Sequence, residues 1–163
     1  MPPHPKAAAK WLSDEEQIAW RAYLLTTHLV DEVLDRQLQR DAKIPHAYYA
    51  ILVALSEATD RSVRMSDLAR ALRYSQSRMT HAVTSLERSG WVLRRNCPTD
   101  RRSQLVSITD DGLEALRGAA PGHVAEVRGA VFDKLSPAQV RQLGQICTTI
   151  LEGLDTAPVT ELR

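Results

Sequence analysis

"SQSRMTHAVTSLERSGWVLRRNCPTDRRSQLVSITDDG", residues 75–112, holds a helix start, a helix stop, two short apolar runs and a second helix start in thirty-eight residues. Ser75 stands where a helix would begin and Gly90 where it would stop. A serine at an N-cap accepts a backbone N–H of the first turn, and a glycine just past the end takes the left-handed conformation cheaply. At about 100° per residue, Met79, Ala82, Val83 and Leu86 fall on one face. Ser77, His81, Thr84 and Arg88 form the opposite row, with Arg78 and Ser85 beside it. "WVLRRN" (91–96) and "SQLVSI" (103–108) read as short strands. "CPTDRR" (97–102) is the tip between them, with Pro98 and Asp100 supplying turn chemistry. Thr109 then caps a further helix, whose Asp110 and Asp111 suit its positive N-terminus.

Upstream, "IPHAYYAILVALSEA" (44–58) predicts a largely buried helix with Pro45 at its first position. "DRSVRM" (60–65) is a short extended link, and "SDLARAL" (66–72) a short helix capped by Ser66. The order helix, strand, helix, turn, helix, strand, hairpin, strand is that of a winged helix-turn-helix, with the helix after Ser75 as its recognition helix. "SDEE" (13–16) is a capping box that opens a long helix to about Arg40. Ile18, Ala22, Leu25, Leu29 and Val33 stripe that helix, widened by Trp20, Leu24, Leu34 and Leu38. Downstream, the helix after Thr109 is expected to reach about Lys134 with a bend near Pro121. "LSPAQV" (135–140) is a complete helix start, with Ser136 as N-cap, Pro137 at N1 and Gln139 at N3. Val140, Leu143, Ile146, Cys147, Ile150, Leu151 and Leu154 stripe the last helix, which places Cys147 in a core. The fold expected is mainly α with a small β-hairpin wing. Residues 1–12 read as a flexible arm.

Charge sharpens this reading. The 163 residues carry a net +1, but residues 61–102 hold ten arginines, no lysine and three acids, a net +7, which leaves −6 for the remainder. A basic middle between acidic ends fits a polyanion-binding module. The exposed face of the recognition helix is short, polar and basic, so it suits a major groove, where bases and phosphates need donors. The five histidines lack metal-ligand spacing, and the two cysteines, Cys97 and Cys147, form no CxxC. No metal and no cofactor are expected. No GxSxG, P-loop or paired His/Cys arrangement points to an enzyme. The longest apolar run, "AYYAILVAL" (47–55), is far short of a membrane span, and "MPPHPKAAAK" (1–10) has no apolar signal core, so a cytoplasmic protein is expected.

Asp100, Arg102, Val106, Ile108 and Thr109 follow the pattern D-x-R-x-x-x-V-x-L-T, with Ile108 for Leu. With Leu86, Gly90, Trp91, Val92 and Arg95 before them, they make the chain resemble the MarR family of transcriptional regulators over about residues 14–154. The resemblance implies a homodimer held by residues 13–44 and 110–163, around a winged helix-turn-helix at 45–109. It implies double-stranded DNA as partner and a palindromic operator under repression. On this reading Ser75, Gln76, Ser77, Arg78, Thr80, His81, Thr84, Arg88, Arg95, Arg101 and Arg102 contact DNA, and Asp100 shapes the tip. Where family members carry Thr-Arg on the recognition helix, this chain has Thr80-His81, which keeps a donor without the fixed charge of a guanidinium. A guanidinium at the wing tip suits the enhanced negative potential of a narrow minor groove. Of Arg94 and Arg95, one would face a phosphate and the other an acid of the body.

The resemblance also implies a small-molecule effector, often a phenolic or aromatic anion, held between the dimer base and the winged domain. Trp20, Arg21, His28, His46, Tyr48 and Tyr49 lie on the elements that would line its site, although aromatics at helical spacing equally read as core. Cys97 near the wing reads either as a redox switch or as a bystander thiol. The alternative from another class is a helical winged-helix module that binds protein and not DNA.

Overall fold

The structure, a computed structural model, describes residues 10–97 and 100–154, and of residues 100–102 only the backbone. Ser13 opens α1 (Asp14–Ala42) through a complete capping box with Glu16. Lys43 closes it in the left-handed conformation. α2 (His46–Glu57) follows, with Pro45 at the N-cap rather than at the first helical position. Proline has no side chain to cap with, and the first turn of α2 contains no acid. The cap comes instead from α1: the His46 backbone N–H donates to Asp35 Oδ1 at 2.8 Å. A carboxylate there also suits the positive end of the helix.

A 3₁₀ turn leads into β1 (Ser62–Arg64), which passes directly into α3 (Met65–Ala71). Ser66 does not cap α3 as expected. Arg64 occupies the cap, and no side chain bonds there. The strand pairing of β1 fixes the chain up to Arg64, so the helix starts two residues too early for Ser66 to serve. α4 (Gln76–Arg88), β2 (Val92–Cys97) and β3 (Asp100–Ile108) complete the winged unit. The antiparallel sheet has the order β1-β3-β2. Ser62 pairs with Ser107, and Val92 with Ile108. A bulge between Asn96 and Cys97 interrupts the hairpin near its tip.

α5 (Asp110–Ala130) runs unbroken through Pro121, and a separate 3₁₀ turn spans Phe132–Lys134, so the helix ends before Lys134. α6 (Pro137–Gly153) begins with the expected Ser136–Gln139 capping box. The core lies within the winged unit and where α1 and α5 meet it. Leu38, Ile51, Leu52, Leu55, Leu68, Met79, Val83, Leu86, Val92, Val106 and Leu113 pack together in it.

The outer ends of α1 and α6 are different. Ile18 is 70% exposed and Ile146 57%, and Leu24, Leu25, Leu29, Ile150 and Leu151 are exposed too. α6 has no buried residue. Cys147, expected in a core, is exposed in the single chain, because the stripe it belongs to has nothing against it there. No described helix is long and apolar enough to cross a membrane.

Candidate nucleic-acid interface

α4 is anchored on one side and polar on the other. Met79, Ala82, Val83 and Leu86 are buried, as their spacing predicts. Ser75 Oγ accepts the Arg78 backbone N–H at 3.2 Å, so this serine acts first as the cap. Gln76, Ser77, Arg78, Thr80, His81 and Arg88 are exposed. Ser77, Thr80, His81, Thr84, Ser85 and Arg88 line one shallow concavity along the helix. The Thr80 hydroxyl donates back to the Gln76 carbonyl at 2.8 Å, which leaves its lone pairs outward.

Three contacts hold the outward face to the body. The Arg78 guanidinium lies over the Tyr74 ring, 4.1 Å from its centroid. The Tyr48 hydroxyl is 3.5 Å from His81 Nδ1, which ties α2 to the middle of α4. At the far end, the Glu87 carboxylate takes the Arg94 side chain through Nε at 2.9 Å and through a second, shorter contact from Nη2. The Arg94 backbone N–H adds a bond at 3.3 Å. These bonds hold the Glu87 carboxyl below the usual carboxylate range.

That pair separates the two strand arginines. Arg94 is the one bound to an acid of the body, while Arg95 is exposed and makes no ion pair among the described residues. Arg88 is likewise exposed and without an ion pair there. The side chains of Asp100, Arg101 and Arg102 lie outside the described residues, and β3 carries their backbone. Cys97 is buried.

The return to α5 is tightly built. Gly90 is left-handed, φ +76°. The Thr109 hydroxyl donates to the Gly90 carbonyl at 2.7 Å and accepts the Gly112 N–H at 3.0 Å. The Thr109 backbone N–H donates to the Trp91 carbonyl at 3.0 Å. One residue thus joins the end of α4, the end of the wing and the start of α5.

The six residues expected to line an effector site do not converge in one chain. Trp20 stacks on Tyr23 with ring centroids 5.9 Å apart, on the exposed part of α1. Trp20 and Arg21 stand about 15 Å along the helix axis from Asp31, the α1 residue that meets His46. His28 is exposed, and Tyr48 faces His81. His46 and Tyr49 do come together. His46 Nδ1 is 2.9 Å from Asp31 Oδ1, and both rings contact His123, at 5.5 and 4.5 Å between centroids. The sequence reading missed His123. Its burial, and then the neighbouring His46, hold its pKa below the ordinary histidine value. A separate cleft of about 350 Å³ between α1 and α5 is lined by Gln37, Asp41, Trp91, Gly118 and Gly122 among others, and contains none of the six.

A polar helix presented from a three-stranded hairpin unit defines a winged helix-turn-helix protein. The description of the MarR family matches residues 43–103. The chain is similar to Sco3205, a MarR family transcriptional regulator from Streptomyces coelicolor solved in complex with DNA. The two are 48% identical, with 93% of this chain and 95% of that one covered and a TM-score of 0.88. It is also similar to AbsC, a MarR family regulator from Streptomyces coelicolor, at 40% identity, 90% and 98% coverage and a TM-score of 0.84. The transcriptional repressor MprA of Escherichia coli is 28% identical over 148 residues, covering 88% of this chain and 84% of the repressor. The chain belongs to the MarR family of transcriptional regulators.

Proposed function

We propose that the protein is a sequence-specific, DNA-binding transcriptional repressor that acts as a homodimer on a palindromic operator. The observation that carries this is the row on α4 of exposed Ser77, Thr80, His81 and Arg88 with half-buried Thr84 among them, set on a helix whose opposite face is buried. Such a row enters a major groove without steric bulk. The wing strand beside it carries Arg95 outward, and Arg101 and Arg102 follow at the tip. Two copies joined through the exposed stripes of α1 and α6 would set two recognition helices about 34 Å apart, one turn of duplex. Repression is the activity named for the similar Escherichia coli protein.

Release by a small aromatic or anionic effector is the regulatory half of this reading. His46 and Tyr49, gathered around His123 at the meeting of α1, α2 and α5, support it.

The test is a titration of duplex DNA from the region upstream of the protein's own gene, at several salt concentrations. Binding with log K falling steeply against log[salt], and far tighter than to random duplex, is expected. Weak, salt-insensitive binding to every duplex overturns the reading. Titrating a bound complex with benzoate-type anions tests release.

A further inference from the structure

Arg78 is an unusual residue for its position. It stands at the third residue of α4, where the unpaired N–H groups give the helix a positive end and a cation is unfavourable. The first turns of α1 and α5 follow the expected pattern, with Asp14, Glu15 and Glu16 in one and Asp110 and Asp111 in the other. α4 has no acid in its first turn. Among the described residues the Arg78 guanidinium makes no ion pair, and its contact is the face of Tyr74 at 4.1 Å. Arg78 is therefore held by a ring and not by a carboxylate, against the charge preference of its position.

Tyr74 is firmly seated. It is half-buried against the core, and its backbone N–H donates to the Ala69 carbonyl at 2.9 Å, across the turn between α3 and α4. Arg73 before it is left-handed, φ +55°, which turns the chain so that the Tyr74 ring comes under the first turn of α4. Stacking occupies the flat face of a guanidinium. The N–H donors lie in the plane of the group, around its edge, and remain available.

We propose that Tyr74 is a positioning residue for sequence readout: it holds the Arg78 guanidinium flat so that its edge meets the O6 and N7 acceptors of one guanine in each half-site. The geometry is that of a bidentate arginine–guanine pair, delivered by the end of the recognition helix that meets base edges. The stack supplies in the free protein the orientation that a free arginine side chain adopts only on binding. The inference rests on the DNA-binding reading above.

The test is selection of bound sites from random duplex with the full-length protein and four variants: Arg78→Ala, Arg78→Lys, Tyr74→Leu and Tyr74→Phe. Each is also titrated against the selected site and against non-specific duplex. Expected is a guanine in each half-site whose preference disappears in Arg78→Ala and Arg78→Lys. Tyr74→Leu should relax the same base pair and weaken specific binding about tenfold, the scale of one bidentate pair. It should leave non-specific affinity unchanged, and Tyr74→Phe, which keeps the ring, should restore the wild-type preference. Arg78→Lys keeps the charge and reads the guanine contact even where Tyr74→Leu does not fold. The proposal is overturned if Tyr74→Leu keeps the preference, if the Tyr74 and Arg78 variants relax different base pairs, or if Arg78 controls a base other than guanine. A wild-type protein that selects no site overturns the DNA-binding reading itself, and this inference with it.

Discussion

Glu87 and Arg94 clamp the end of the recognition helix to the first strand of the wing: the carboxylate of one accepts both the side chain and the backbone N–H of the other. Together with the bonds of Thr109 to Gly90 and Trp91, the pair ties the two parts of a winged helix that would enter adjacent grooves. The pair also divides labour between neighbours. Arg94 is spent on the body of the protein, and Arg95 faces solvent.

Arg94→Ala and Arg95→Ala are expected to behave differently. Losing Arg94 leaves the Glu87 carboxylate without its partner, so thermal stability falls. Losing Arg95 leaves stability unchanged and removes one phosphate contact, so the slope of log K against log[salt] falls by about one. Melting curves and salt titrations of the two variants side by side decide this; an identical pair of salt slopes would show that Arg95 does not reach the duplex.

Gly112→Ala should be severe. A Cβ at Gly112 would lie 2.2 Å from the Trp91 carbonyl oxygen and 2.9 Å from Ile108 Cγ1. The first of these is backbone, pinned by the bond from Thr109, and cannot step aside. A cost of about 3 kcal/mol is expected, the upper part of the range for overpacking. For a chain of this size that lowers the melting temperature by roughly 6–12 °C. Differential scanning calorimetry of the purified variant measures it.

Stability should fall as the pH drops through the histidine range. His123 is held below its ordinary value of 6.5 by burial and by His46. The unfolded chain therefore binds a proton at a pH where the folded one does not. Stability from this group is complete above about pH 6.5 and is lost as pH falls toward the folded value. The groups facing the ring are His46, with Asp31 beyond it, and the neutral Tyr49. His123→Phe keeps an aromatic ring against Tyr49 and removes the titration. Its melting temperature should decline less between about pH 7 and about pH 5.5 than that of the wild type; parallel declines would remove His123 from the account.

Lys43→Gly should raise stability. Lys43 closes α1 with φ +59°, a conformation costing roughly 1–2 kcal/mol for a residue with a Cβ. Glycine adopts it freely but orders more chain on folding, so a net gain of up to about 1 kcal/mol is expected. Chemical denaturation compares the two proteins, and a lower midpoint for the glycine variant would contradict it.

What could be read from the sequence was local in origin. Ser13, Ser75, Thr109 and Ser136 cap the helices they precede, because each cap involves residues three apart. Met79, Ala82, Val83 and Leu86 followed from helical spacing alone. What escaped is non-local. The cap of α2 comes from Asp35, eleven residues back on another helix. Ser66 lost its role to the pairing of β1 with a strand over forty residues on. Glu87 and Arg94 sit on either side of the turn that ends α4, one on a helix and the other on a strand, so no single periodicity relates them. His123 gave no signal except its residue type. Cys147 shows the remaining limit: periodicity says that a stripe faces something, and not whether that something is the same chain.

α6 is seventeen residues long and has no fully buried residue in its own chain. Most of a helix's stability in a protein comes from packing its apolar face, not from propensity. On the homodimer reading, the surface that makes this segment helical belongs to a second molecule, so folding of the C-terminal region and association are one equilibrium. The melting temperature should then climb with protein concentration, since mass action favours the paired state. A fall in the cellular level of such a regulator would loosen its structure as well as empty its operator, and the two losses would reinforce each other.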